Sequence, residues 1–380
     1  TSFNGIPFFS DTTYNSMYTH DVSGTDNEAQ FNTAYGFIAM DAITTGDKNV
    51  AIGYGAGSAL AEGSRNVAIG YLALAAEDGH GYNVAIGNEA LAVLNAGAHA
   101  YNVAVGKDAG KAMTTGAYNT LIGGLAGDAL TTGEMNVAVG YGSLGSEDGN
   151  GKCVAIGMSA LTSQNAGGEA YNVAVGYNAG YAVTTGTVNT IIGGLAGDAL
   201  TTGTRNTAVG AFALSTEDAH GNNTAFGYQA LLTLNAGAEG YNVAVGVDAG
   251  RLMTTGNKSV LIGALAGDAV TTAVRDVFVG YSAGGSITTG GNNVAVGYLA
   301  LGTEDTQGTS VAVGYSALGA QNAGEIPYNV ALGYKAGEGV STGVKNTLIG
   351  GNAGDALTTG DNNIIIGYAA AASAVGVDNE

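Results

Sequence analysis

The chain has 380 residues, of which 66 are glycine and only two proline, with 46% hydrophobic and 11% charged residues. That apolar content excludes a disordered, charge-rich tail, and two prolines exclude a collagen repeat. Eleven basic against 31 acidic residues leave a formal charge of −20, which nucleic-acid phosphates and anionic membrane surfaces repel. Cys153 is the single cysteine, so one chain holds neither a disulfide nor a cysteine zinc site. No apolar run is long enough to span a bilayer as a helix. Thr1 follows neither an initiator methionine nor a signal pattern, so the chain reads as a piece of a longer protein.

Residues 1–31 come first and stand apart. Phe3, Pro7, Phe8, Phe9, Tyr14 and Tyr18 crowd a segment with no repeat register. A stacked-repeat fold needs its end covered, so this segment is expected to be a cap or an attachment point. From 32 to 370 the chain is repetitive. Asn49-Val50-Ala51-Ile52-Gly53 returns at Asn66–Gly70, Asn83–Gly87 and Asn102–Gly106, and in twenty copies up to Asn363–Gly367. The glycines are 17 residues apart except at four intervals of 19, giving a 70-residue super-repeat. Residues 371–380 read as a tail leading out, and the chain is expected to have continued.

Three residues before each glycine stands Val, Thr or Ile, and just before it Ile, Val, Leu, Phe or Tyr. The residue between is Ala in fourteen copies. β-branched residues favour extended backbone, so the motif predicts a short strand, apolar on both faces. A 17-residue unit is too short to fold alone. The expectation is an all-β parallel β-solenoid of about twenty coils, roughly 95 Å long at the usual strand spacing. Segments such as Asp128-Ala129-Leu130 and Ser143-Leu144 would form the return side. Gly53, Gly70, Gly87 and Gly106 would occupy positive-φ turns or close backbone approaches. Asn49, Asn66, Asn83 and Asn102 would stack as an asparagine ladder, since Asn precedes the strand in sixteen copies. The β-branched and pre-glycine residues are taken to point into the coil and the alanine outward. An alanine-rich apolar stripe would then be exposed, and such a stripe favours association of two or three chains, of which a parallel homotrimer suits a rod best.

The Asn-Val-Ala-Ile-Gly string, followed by a residue pair and then Ala-Leu or Ala-Gly, resembles the head repeats of YadA-type trimeric autotransporter adhesins. Similar repeats occur in bacteriophage tail fibres. The resemblance covers about 32 to 370 and implies a left-handed parallel β-roll trimer with a role in attachment. The 17- and 19-residue coils are longer than the adhesin repeat, and the chain shows no coiled-coil stalk or membrane anchor.

Glu77-Asp78, Glu147-Asp148, Glu217-Asp218 and Glu304-Asp305 recur once per super-repeat and offer carboxylates of the kind Ca2+ takes. Their loops lack a dense oxygen set, so solvated turns are the expectation and no metal or other cofactor is assigned. Thr-Thr pairs such as Thr114-Thr115, Thr184-Thr185 and Thr254-Thr255 suggest ice binding, but adjacent threonines point to opposite faces. Bonding of their hydroxyls to nearby backbone is the simpler reading. Six-residue steps from Ile122 reach Asp128 and Glu134, which excludes a hexapeptide acyltransferase. With His20, His80, His99 and His220 in no recurring constellation and no nucleophile beside a base, the chain is not read as an enzyme. Cys153, in an asparagine position, is expected to be a free, unreactive thiol. Tyr54, Tyr71, Tyr141, Tyr298 and Tyr315 follow coil glycines and predict a stacked rib or a partner-contacting strip.

Together these features predict a structural fibre segment for surface or host attachment, on a phage tail or virion fibre. Its partners would be copies of itself, other fibre or virion proteins and a host-surface glycan or protein, without nucleic acid or membrane insertion. Its place would be extracellular, on the virion surface. The head of a bacterial trimeric surface adhesin, on the cell surface, and a pure spacer are the alternatives.

Overall fold

The computed structural model describes residues 15–19, 28–149, 151–304 and 306–371, together with the short strands before residue 12. Phe8, Tyr14, His20, Asp305 and residues 372–380 lie outside the described residues. All regular structure among the described residues is β, and no helix there is long and apolar enough to cross a membrane.

At the N-terminal end β1 (Ser2–Phe3) pairs antiparallel with β2 (Ile6–Pro7). β3 (Phe9–Asp11) pairs antiparallel with β4 (Ser16–Tyr18), which lies parallel to β5 (Thr33–Tyr35). Parallel stacking therefore starts one strand before Asn32. Twenty three-residue strands follow, β5 to β24 (Ile364–Ile366), one for each copy of the motif. They fall into two compact units, Thr1–Val188 and Asn189–Glu380, each a parallel β-solenoid. Within each unit the register is constant: Val50 pairs with Val67 and Ala51 with Ala68, and Val277 pairs with Val294 and Phe278 with Ala295.

The facing of these strands is the reverse of the expectation. The middle residue is the buried one. Ala51, Ala68, Ala138, Leu121 and Phe278 are all fully buried, while the Val, Thr or Ile on either side is half-buried or exposed. The reason is the narrow bore of a 17-residue coil, whose opposite wall already fills most of it. That wall carries a buried alanine three residues after the glycine, such as Ala73, and beyond it one of two fillings. Some coils have a leucine four residues after the glycine, as Leu74 and Leu144. Others have a glycine there and an apolar residue three further on, as Gly57 with Leu60 or Gly127 with Leu130. A side chain added at Gly57 would sit 2.6 Å from Leu60 Cδ1, so glycine there makes room for that leucine, whereas coils with leucine at the fourth place bury a second residue differently, as Leu91 with Leu94. Large middle residues pack against wall glycines: an atom added at Gly284 would meet Phe278 Cε2 at 2.6 Å.

The return side is not a strand. Asp128-Ala129-Leu130 and Ser143-Leu144 lie in turns, and the second and fourth residues after the glycine adopt positive φ, as in Leu72 and Leu74 at +50°. Left-handed backbone at leucine costs on the order of 1–2 kcal/mol. It curls the chain back within a few residues and turns Leu74 into the core.

Gly53 answers both expectations for the coil glycines. Its φ is +132°, and a Cβ there would lie 2.6 Å from Gly70 O. Gly70, Gly87 and Gly106 share the positive φ and face the backbone of the next coil's glycine.

Candidate functional site

The interior polar line is the asparagine ladder. Asn49 Nδ2 donates to Gly63 O at 2.7 Å, and its Oδ1 accepts the N–H of Asn66 at 2.8 Å. Asn66 accepts from Asn83, and Asn83 from Asn102, in the same way. Each rung thus satisfies a donor and an acceptor of the following coil, groups that would otherwise be buried unpaired. The rungs that open 19-residue coils differ, because the longer loop removes the acceptor. Asn83 Nδ2 and Asn223 Nδ2 are buried without a hydrogen bond. Two departures from asparagine, Cys153 and Ser310, fall at this same place, where the amide has nothing to donate to.

Cys153 is fully buried, and loss of hydration pushes its thiol pKa up to about 11 against a hydrogen bond from the Asn172 backbone. We expect no alkylation of the folded chain by a maleimide at pH 8 over hours, and stoichiometric alkylation in denaturant, read by mass.

The acidic pairs divide into one inner and one outer residue. Glu77, Glu147, Glu217 and Glu304 are fully buried, whereas Asp78, Asp148 and Asp218 are exposed. The expectation of solvated turns therefore fails for the glutamates. Glu77 Oε1 accepts the His80 N–H at 3.1 Å and Oε2 the Ala96 N–H at 3.4 Å. Glu217 does the same with His220 and Ala236, and Glu304 with Gln307 and Ala323. Each holds its own loop to the 19-residue coil after it. Desolvation raises the pKa of Glu77, opposed by these backbone hydrogen bonds and by His80. His80 Nδ1 lies 3.6 Å from Glu77 and His220 Nδ1 3.3 Å from Glu217, contacts that sequence reasoning missed. Metal-ligand atoms of Glu77, Asp78 and His80, and of Glu217, Asp218 and His220, come within 4.8 Å of one another. The glutamate oxygens in both are already committed to backbone donors. The other super-repeats carry Asn150 and Gln307 in place of histidine, with Gln321 Nε2 donating to Glu304 at 3.0 Å. What recurs is the buried carboxylate as a loop clamp. One available signal was the leucine three residues before each glutamate, which marks the leucine-filled coils.

In each unit the outer face of the strands is the most extensive repeating feature. Its two central rows are the residues flanking each buried middle residue, among them Ile52, Ile122, Phe226 and Leu332, all exposed. Beside them runs the row that follows each glycine. Tyr281, Tyr298, Tyr315 and Tyr334 stack with centroids 5.3 Å apart, and Phe37, Tyr54 and Tyr71 stack at 5.9 and 5.5 Å. Tyr141 is exposed without a stacked neighbour, since Gly124 precedes it in its row and Met158 follows. The rib and the accessible strip are thus the same rings. On the other side lies a row just before the ladder, not singled out from the sequence because its identity alternates. It stacks Tyr82, Tyr101 and Tyr118 and carries seven of the eleven basic residues: Lys48, Arg65, Lys152, Arg205, Lys258, Arg275 and Lys345. Arg65 lies 5.1 Å from the Tyr82 ring centroid and donates to its hydroxyl at 2.6 Å. None of the four rows contains a carboxylate.

The threonine pairs serve the backbone. Thr114 Oγ1 donates to Thr131 O at 3.2 Å and Thr254 Oγ1 to Thr271 O at 3.1 Å, in each case in the next coil.

No protein-family model matches the chain, and neither a curated protein nor a solved structure matches it.

Proposed function

We propose that the chain is a structural fibre segment for surface or host attachment, of the kind carried by a phage tail or virion, and that it works as a parallel homotrimer. The observation that carries the reading is the outer strand face. In each unit it presents two rows made mostly of valine and isoleucine, interrupted by threonine in the first, bordered by tyrosines, and large apolar patches mark association surfaces. A chain of charge −20 repels its own copies, yet none of the rows of this face carries a carboxylate. That distribution favours a second copy over solvent. The association argument moves from the alanines, which are interior, to the Val and Ile rows. A self-associating face with tyrosine edges left at its border suits an extracellular fibre that contacts a host glycan or protein.

The solution mass tests the assembly. A particle of three times 37.3 kDa is expected, and Val139→Lys with Ile156→Lys, neighbours on the outer face, should reduce it to one chain with its β circular dichroism retained. A 37.3 kDa particle for the unaltered chain would remove the trimer from the reading. Adsorption of the labelled chain to candidate hosts tests attachment, and a trimer that adsorbs to none is a spacer.

A further inference from the structure

One rung of the ladder has the wrong chemistry for a permanently ionised side chain. Asp276 stands where nearly all other regular coils place asparagine, and it is fully buried. Its N–H donates to Ser259 Oγ at 3.2 Å, and its Oδ1 accepts the Asn293 N–H at 2.9 Å, as an asparagine Oδ1 would. Its Oδ2 occupies the place of the amide nitrogen and is buried with no hydrogen bond. In neighbouring 17-residue coils that nitrogen donates to the carbonyl 14 residues on, as Asn242 Nδ2 does to Gly256 O at 3.0 Å. The corresponding acceptor for residue 276 is Gly290 O. The rung above has turned to meet it: Asn293 Nδ2 donates back to Gly290 O at 3.0 Å, three residues away, instead of forward.

We infer that Asp276 carries a proton on Oδ2 in the folded chain, so that its neutral carboxyl completes the ladder and forms an acid-stabilised joint that weakens when the proton leaves. A carboxylate oxygen facing a carbonyl is repulsive, whereas a carboxyl O–H is a donor of the kind an amide supplies. Gly290 O, with two lone pairs, accepts from both Asn293 and the carboxyl. No charged side chain holds Asp276 ionised. Lys258 and Arg275 stand exposed on the outer row, and Asp268 interacts with Arg251 and Asp248. Glu304, the next buried carboxylate along the chain, is bound by Gln307, Gln321 and Ala323. Val270 and Ile287, buried wall residues of the adjoining coils, are apolar. Consistent with these surroundings, desolvation pushes the Asp276 pKa up to about 7, against the hydrogen bonds from Asn293.

The sign follows from proton linkage. The folded state binds the proton more tightly than the unfolded state, so the stabilisation is complete below the ordinary aspartate range near 3.8 and is lost as pH rises through about 7. The test compares urea unfolding of the full chain and of Asp276→Asn between pH 4.5 and 8.5. The two should differ little at pH 4.5. By pH 8.5 the variant's folding constant should exceed the native one by a factor on the order of a thousand, the shift converted at tenfold per pH unit. Asp276→Ser, which copies the neutral rungs at Ser259 and Ser310, should lose the same pH dependence. The native-minus-variant infrared difference should contain a protonated-carboxyl band at pH 5 that fades near neutrality. A native-to-variant difference that stays constant with pH, or an Asp276→Asn chain less stable than the native one at pH 8.5, would overturn the inference. So would absence of that difference band at pH 5.

Discussion

Gly140→Ala is expected to destabilise the fold by about 4 kcal/mol, combining about 1–3 for a side chain at an unfavourable φ with about 1–3 for overpacking. Gly140 has φ +134°, and a Cβ there would lie 2.5 Å from Gly157 O and 2.6 Å from its carbonyl carbon. The obstacle is backbone belonging to the next coil, so no rotamer change relieves it. Relief would require the two coils to separate, breaking the strand pairing of Val137–Val139 with Val154–Ile156. Urea unfolding should show a large fall in midpoint. Gly97→Ala supplies the contrast: it also has positive φ, at +68°, but nothing stands within 4 Å of the added atom. Only the conformational part of the cost, about 1 kcal/mol, is expected there. Equal losses in the two variants would mean that coil spacing is not what demands glycine at the strand end.

Asn119→Ala should cost about 3 kcal/mol, because it strands two buried backbone groups at about 1–3 kcal/mol each. Asn119 Oδ1 accepts the Asn136 N–H at 2.9 Å, and its Nδ2 donates to Gly133 O at 2.8 Å. Asn119→Ser should lose less, since Ser259 shows that a serine hydroxyl at this place still accepts the next rung's N–H. Asn83→Ser should be milder again, because the Asn83 amide has no acceptor to lose. The ranking of the three by urea midpoint checks the ladder: alanine at 119 worst, serine at 119 intermediate, serine at 83 least. Similar midpoints for Asn119→Ala and Asn83→Ser would show that the amide contributes little.

Much of the architecture was readable from residue identity at fixed spacing. Repetition compares equivalent positions within one chain, so Gly53, Asn49 and their counterparts could be assigned from φ and hydrogen-bonding chemistry alone. Orientation was not readable in the same way. Alternation along a strand establishes that Val50 and Ile52 share a face, but not whether that face is inside. The choice depends on the width of the coil, which is set by Leu74 and Leu60 on the far wall, a feature of closure that the strand motif does not encode. Glu77 was misplaced for a related reason. An acidic pair ordinarily marks solvent, and here the second carboxylate does face it, while the first is drawn in by the N–H groups of His80 and Ala96. The return side escaped because turns with leucine at positive φ have no simple compositional signature.

The backbone contact between successive coil glycines constrains how such a chain can change over generations. Gly53 cannot gain a side chain without displacing Gly70 O, 2.6 Å from the added atom. Whole coils, each bringing its own glycine, are therefore expected to be gained or lost by duplication and recombination of entire units, with point substitution confined largely to the outward rows.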